Sequence, residues 1–183
     1  MGEIAATTHS LGINTLGVDY HFDNILEKKV PTKNIIYRVT TKPSVATEFL
    51  YLVVSEKFGQ FSPTNTDIFV VKDFKMVKNN LKSRIKKGIG LEVTIDEVRK
   101  ADSRQVGSWV SQVKDLYKFS KLMNCQFILS SGANSLLELV SGRSFDAILK
   151  ILDIVPEQYW QSLQEWIESR FQNKVFLDSK QIK

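Results

Sequence analysis

The chain has 183 residues, of which 43% are hydrophobic, and it carries a formal net charge of +5 and a single cysteine, Cys125. This length and composition are typical of one folded domain and exclude a disordered chain. No run reaches the roughly 18–20 apolar residues of a membrane span, the N-terminus lacks a secretion-signal pattern, and one cysteine cannot form an internal disulfide. We therefore expect one cytoplasmic domain over residues 1–183.

The first half of the chain alternates apolar, often β-branched runs with turn-forming residues. Residues 4–11 predict a short helix that ends at Gly12. Residues 44–58 fit either one helix or a short helix that leads into a strand, because periodicity does not separate the two. A segment rich in Gly, Pro, Ser and Asn at 59–66 predicts a loop. The strands predicted in this half are residues 14–20, 35–41 and 67–71.

The second half begins with a basic helix at about 74–86 and a strand at 88–95. The strongest helical pattern follows at 103–123, where apolar residues recur at helical spacing and Asp102 with Gln105 resembles a capping box. A strand at 126–131 comes next, then a turn through Gly132. Two further helices are predicted, one at about 145–152 and one that begins at Pro156, a favoured first helical position.

This order of elements predicts an α/β fold. Strands that alternate with helices and are apolar on both faces indicate a parallel sheet covered by helices. Right-handed crossovers leave a closed barrel or an open doubly wound sheet as the two choices. Five or six strand signals in so short a chain favour a reduced or incomplete barrel.

Positive charge is concentrated in one segment. Residues 72–87 contain seven basic residues and one acid, whereas 138–170 contain six acids and three basic residues. This asymmetry predicts two surfaces with different partners, although a mixed surface without a target is the alternative. Within the basic helix, Phe74, Val77, Leu81 and Ile85 form an apolar stripe, and a stripe of lysines lies about 100° around from it. These lysines and the neighbouring basic residues form a basic patch, which comprises Lys72, Lys75, Lys78, Lys82, Arg84, Lys86 and Lys87.

Lysines that line one helix face repel one another unless an anion lies against them. Nucleic-acid phosphates supply such an anion, so the patch predicts RNA binding; a solvated face that keeps the protein soluble is the competing interpretation. A second cluster of Arg99, Lys100 and Arg104 follows the strand at 88–95, with acids interspersed that offer local ion pairing instead. Arg143, beside Ser144 as the predicted N-cap and Asp146 in the first turn, is a weaker anion-binding candidate.

Two charges are predicted to point into the sheet. Glu92 alternates with Gly90 and Thr94, and Arg38 alternates with Ile36 and Thr40, so both should face the inner side of the sheet. An unpaired charge there is costly, so we predict a structural ion pair between Arg38 and Glu92.

A metal site is not expected from the sequence. Asp19 and His21 could begin one, but a hydrolytic metal centre usually needs three or more His, Asp or Glu ligands. The chain has two histidines, His9 and His21, and neither has the spacing of a zinc motif.

Several segments together resemble one known family. The matching segments are GIGLEV after a basic helix, Arg104 at the start of a long helix, FILSSGANS and GRSFDAILKIL, with HSLGINTLGVDYHF and IIYRVT upstream. They are similar to the archaeal ribonuclease P protein component 3 family, the counterpart of a eukaryotic ribonuclease P subunit. The likeness covers most of residues 5–152. Two departures are the absence of a strand before the first helix and a compressed segment at 44–66. No motif of the family matches beyond Pro156.

The resemblance implies a reduced TIM-like barrel over residues 1–183, related to metal-dependent phosphoesterase barrels but without their metal ligands, with a C-terminal helix and tail at 156–183. It further implies a subunit of the enzyme that removes the 5′ leader from precursor tRNA. The RNA of that enzyme performs the hydrolysis with magnesium, and this subunit pairs with protein component 2 in a two-plus-two assembly. The alternatives are a metal-dependent phosphoesterase on a related barrel and a protein-only scaffold.

Overall fold

A computed structural model of the chain describes residues 10–12, 15–19, 35–43, 47, 49–57, 59, 61–62, 64–77, 79, 88–172 and 174. Its strands are β1 (Leu16–Asp19), β2 (Ile35–Val39), β3 (Tyr51–Ser55), β4 (Ile68–Val70), β5 (Gly90–Thr94) and β6 (Gln126–Ser130). Its helices are α1 (Phe74–Met76), α2 (Ser103–Leu122), α3 (Gly142–Ile151) and α4 (Pro156–Gln172), with short 3-10 turns at Ile95–Val98 and Leu136–Glu138.

The six strands form one parallel sheet in the order in which they occur along the chain. The sheet is curled, and a contact between β2 and β5 spans its concave face. Arg38 of β2 donates two hydrogen bonds of 2.8 Å to the carboxylate of Glu92 in β5, across the two strands between them. The fold is therefore an α/β half-barrel with helices around it, an arrangement compatible with a TIM-like barrel.

Strand alternation gives the sheet two apolar faces. The outer face packs against α2 and α3 through residues such as Phe69, Leu91 and Val93, which are almost fully buried. The concave face is also apolar, and Trp166 of α4 packs on it. Its buried strand residues are Ile36, Leu52, Val54, Ile68, Val70 and Ile128. Burial on both faces explains why the strand sequences lack a clear polar–apolar alternation.

The C-terminal helix α4 covers the edge of the sheet and the amino ends of the strands. Tyr159 accepts a 2.8 Å hydrogen bond from the backbone N–H of Leu129 in the edge strand β6. The Trp166 indole donates to the carbonyl of Gly88, just before β5. Beyond the helix, Lys174 donates to Asp67 and to the carbonyl of Tyr51, next to β4 and β3. The aromatic residues of this helix thus belong largely to the core.

Most strand and helix predictions are confirmed, with narrower bounds. β1, β2, β4, β5 and β6 lie within the predicted strands, the ambiguous segment 44–58 contains β3, and the capping box of Asp102 and Gln105 is present. The predicted helix at 4–11 and the basic helix beyond residue 79 lie outside the described residues, apart from Ser10 and Leu11. Gly12 has a φ of 69°, as expected where a helix ends at glycine.

The predicted start of α3 is wrong. The helix begins at Gly142, because Ser141 is the N-cap and its hydroxyl accepts a hydrogen bond from the N–H of Ser144. Asp146 consequently lies beyond the first turn. Among the described residues, no helix has the length and apolar character needed to cross a membrane.

Two glycines give opposite expectations for the same substitution. A Cβ at Gly90 would lie 2.6 Å from Ile128 Cδ1 and 3.1 Å from the Trp166 ring, whereas one at Gly107, on the exposed side of α2, would meet nothing within 4 Å. We expect Gly90→Ala to lower the free energy of unfolding by about 1–3 kcal/mol through overpacking. Gly107→Ala should raise it by about 0.5–1 kcal/mol because alanine suits a helix interior better. Denaturant unfolding of both variants checks this, and a destabilising Gly107→Ala together with a neutral Gly90→Ala would contradict the packing of α4 on the sheet.

Candidate nucleic-acid interface

The described basic candidates all follow the carboxyl ends of three neighbouring strands. Because the strands are parallel, the loops after β4, β5 and β6 meet at one end of the half-barrel, the end at which barrel enzymes of the TIM type carry their functional residues. We call this end the rim. Its candidate cations are Lys72 and Lys75 after β4, Arg99, Lys100 and Arg104 after β5, and Arg143 after β6.

Two of these cations are engaged within the protein. Lys72 forms a 2.7 Å ion pair with Glu56, and this hydrogen bond raises the pKa of Lys72. Arg99 donates to the carbonyls of Ser131 and Glu138 at 2.8 and 2.6 Å, and its guanidinium also lies 3.4 Å from the Glu138 carboxylate. Arg99 therefore ties the loop after β5 to the loop after β6.

The other four rim cations, Lys75, Lys100, Arg104 and Arg143, are exposed and form no ion pair within the described part of the chain. We call them the free rim cations. They come from three separate segments, which follow β4, β5 and β6, so their placement at one end depends on the sheet. Sequence alone placed Lys75 in one candidate patch and Lys100, Arg104 and Arg143 in two others.

Several acids of the rim are engaged in local hydrogen bonds. Asp73 caps α1 by accepting from Lys75 N and Met76 N, and Asp102 caps α2 by accepting from Gln105 N. Glu138 accepts from the backbone N–H of Asn134, and Asp146 from the indole of Trp160.

Asp96 and Glu97 add negative charge beside these cations. Both are exposed members of the 3-10 turn after β5. Partial burial, followed by the charge of Asp96, raises the pKa of Glu97. A phosphate backbone at the rim must therefore approach the cations on the sides away from this turn.

At the start of α3, two backbone donors are engaged within the protein. The N–H of Gly142 donates to the carbonyl of Leu11, and the N–H of Ser144 donates to the Ser141 hydroxyl. The side chain of Arg143 is exposed beside them.

The basic stripe of the helix after β4 can be followed through its first turn. Phe74 and Val77 are buried and Lys75 is exposed, as the stripe predicts. The remaining candidates lie outside the described residues: Lys78, Lys82, Arg84, Lys86 and Lys87.

Inside the rim, Arg38 joins three strands. It forms the predicted ion pair with Glu92 of β5, whose side chain is 2% exposed, and its Nε lies 3.1 Å from Asp19 of β1. Burial raises the pKa of Glu92, and the charge of Arg38 opposes this rise. Arg38 and its two carboxylates thus form one cluster on the concave face, at β1, β2 and β5.

Asp19 pairs with Arg38 rather than with a histidine, and His21 lies outside the described residues. Among the residues that the structure describes, no group of three or more His, Cys, Asp or Glu side chains is arranged to hold a metal ion.

A cavity that the sequence analysis missed opens toward the other end of the half-barrel, between α2, β6 and α4. Its volume is about 220 Å³, and its lining includes Tyr117, Lys121, Asn124, Gln158 and Trp166. These residues come from three distant segments without a shared motif, so no local sequence signal marks the cavity.

In comparisons with known proteins, no protein-family model matches this chain, and no curated protein matches it. Function is therefore inferred from the residues of the chain itself.

Breaking the buried ion pair should be costly. Arg38→Met leaves Glu92 buried without its cation, and we expect the free energy of unfolding to fall by about 3–5 kcal/mol. The double variant Arg38→Met/Glu92→Leu should recover most of this loss, because it also removes the buried charge. Lys72→Met breaks the exposed pair with Glu56 and serves as the control, with an expected loss of at most about 1 kcal/mol. Urea unfolding measures all three, and equal losses for Arg38→Met and Lys72→Met would disprove the structural role.

The raised pKa of Glu92 predicts the sign of a pH effect. The folded state holds the Glu92 proton more tightly than the unfolded state, so this group's contribution to stability is full below the ordinary glutamate pKa of about 4.3. That contribution is lost as the pH rises through the folded pKa. The free energy of unfolding of the parent protein, measured relative to Glu92→Gln, should therefore decline as the pH rises above about 4.3. A difference that increases with pH over this range would contradict the assignment.

Proposed function

We propose that this chain is a non-catalytic protein subunit of ribonuclease P, the RNA–protein enzyme that removes the 5′ leader from precursor tRNA. In this proposal the rim binds the catalytic RNA, and a separate surface binds protein component 2 of the same enzyme. The chain itself holds no cofactor, and the RNA performs the hydrolysis with its bound magnesium. The half-barrel is then a reduced barrel of the metal-dependent phosphoesterase type.

The observation that carries the proposal is the set of free rim cations. Four cationic side chains without an ion pair among the described residues, from the segments after three strands, form a surface suited to a phosphate backbone. Contacts with phosphates supply affinity without reading the sequence, which suits a protein that stabilises a folded RNA. Ordinary surface lysines are a weaker account, because Arg99 ties the segment that carries Lys100 and Arg104 to the segment that precedes Arg143.

The interior of the rim supports a non-catalytic role. Asp19 and Glu92 both lie against Arg38. A carboxylate that acts as a general base or a metal ligand must be available to the substrate or the metal. Glu92 is buried against the guanidinium, and Asp19, which is exposed, has the same guanidinium 3.1 Å away. The sequence resemblance to component 3 of ribonuclease P points to the same role.

The contribution of two free rim cations to RNA binding can be compared with that of two cations farther along the same helices. Arg104→Gln/Arg143→Gln removes two charges at the starts of α2 and α3, and Lys118→Gln/Lys150→Gln removes two exposed charges later in those helices. We expect the first pair to weaken binding to ribonuclease P RNA and to reduce the slope of log K against log salt by about 0.7–0.9 for each lost contact. The second pair should leave affinity and slope close to those of the parent protein.

Equal slopes for the two double variants would show that the rim does not contact phosphates. Circular dichroism of both variants controls for folding. The specific assignment is tested by reconstitution: cleavage of precursor tRNA by the catalytic RNA and its partner proteins at low magnesium should depend on this chain. A particle that cleaves equally well without it would refute the assignment to ribonuclease P while leaving RNA binding by the rim intact.

A further inference from the structure

The cavity between α2, β6 and α4 combines aromatic walls with polar side chains that have no partner among the described residues. Tyr117, Phe127, Tyr159 and Trp166 form its apolar lining, and the rings of Tyr117 and Tyr159 each meet that of Phe127 edge to face, at centroid distances of 5.5 and 6.3 Å. The cavity is partly open. Its volume of about 220 Å³ is below the range of about 300–1,000 Å³ for pockets that enclose a drug-sized ligand. It can therefore admit a flat ring but not a whole large ligand.

Three polar side chains of the lining are available to a ligand. Within the described part of the chain, Lys121, Asn124 and Gln158 make no side-chain hydrogen bond or ion pair, and all three are exposed. Lys121 Nζ lies 5.3 Å from the centroid of the Tyr117 ring, which keeps its charge over the aromatic wall. In contrast, the amide of Gln126 is occupied by Ser162 and by the carbonyl of Phe127.

A second cation lies against the same cavity. A Cβ at Gly88, which lines the cavity, would lie 2.8 Å from Arg170 Nη2, and the Arg170 guanidinium carbon lies 5.4 Å from the Trp166 ring. The Nε of Arg170 is buried and has no hydrogen-bond partner among the described residues. Buried donors are nearly always satisfied, so an orphaned guanidinium nitrogen beside a cavity calls for an explanation.

We propose that this cavity binds a single nucleotide, with its base against the aromatic walls and its phosphate near Lys121 and Arg170. Aromatic rings stack on any base, the amides of Asn124 and Gln158 can bond both donors and acceptors on a base edge, and the two cations match a phosphate. The nucleotide is either a free ribonucleoside monophosphate or an unpaired nucleotide of an RNA strand, which present the same chemistry. The site lies away from the rim and does not depend on the function proposed there.

Titrations with small probes test the proposal. We expect AMP or UMP to bind at a single site, to shift the indole N–H resonance of Trp166 in the NMR spectrum, and to bind at least tenfold more tightly than ribose 5-phosphate. A single-stranded oligonucleotide distinguishes the two sources. If it competes with AMP and binds at least tenfold more tightly, the ligand is an RNA nucleotide; if it does not compete, the ligand is the free nucleotide.

Four variants separate the cavity from general charge effects. Lys121→Gln should weaken AMP binding at least tenfold, whereas Lys118→Gln, three residues earlier on α2, should change it less than twofold. Asn124→Gly removes the amide but keeps the left-handed backbone, since Asn124 has a φ of 54° that glycine adopts freely. If Asn124→Gly fails to fold, Gln158→Ala replaces it, because it removes the other amide of the cavity lining.

The proposal is overturned if neither nucleotide binds, or if ribose 5-phosphate binds as tightly as AMP. It is also overturned if Lys121→Gln and Lys118→Gln behave alike. Because the Arg104→Gln/Arg143→Gln variant leaves this cavity intact, it should bind AMP like the parent protein. The failure of one site can thus be distinguished from the failure of the other.

Discussion

The ion pair between Arg38 and Glu92 is the constraint on which this architecture depends. It joins β2 to β5 across the concave face, where two side chains from strands three positions apart form hydrogen bonds of 2.8 Å over the curled sheet between them. Desolvation opposes the pair, as the raised pKa of Glu92 indicates. An apolar pair of similar size would tolerate several registers, whereas a bidentate contact between guanidinium and carboxylate accepts one geometry. The pair thus specifies the curvature at some cost in stability.

The curled sheet determines where ligands can bind. Its concave side is filled near the carboxyl ends by Arg38 and its two carboxylates, and near the amino ends by Trp166 and its neighbours on α4. The outer surface of the rim, which carries the free rim cations, and the cavity beside α4 lie outside this filled region. The two proposals for RNA and nucleotide binding follow from this division.

The sequence predicted those features that are encoded locally or by strand period. Alternation in two strands was enough to bring Arg38 and Glu92 to the same face, and the capping box of Asp102 and Gln105 is a signal of four residues. The start of α3 was missed because Ser141 and Ser144 are equally good caps in sequence. In the structure Ser141 is the cap. The next backbone N–H, that of Gly142, then donates a hydrogen bond to the carbonyl of Leu11, which is distant in the sequence. The cavity and the unpaired state of the rim cations likewise depend on tertiary contacts that no local pattern encodes.

Helix α4 explains how a half-barrel can present a rigid rim without closing. An open parallel sheet exposes unpaired backbone groups at its edge and an apolar concave face. Tyr159 satisfies the N–H of Leu129 in the edge strand, and Trp166 covers the concave face while bonding to Gly88. With the amino ends of the strands fixed in this way and the loops after β5 and β6 tied by Arg99, the backbones that carry Lys100, Arg104 and Arg143 need little ordering on binding. A cation whose backbone is already fixed loses less conformational entropy on binding a phosphate than a cation on a disordered tail does. A modest number of such cations can therefore support measurable affinity for a phosphate backbone.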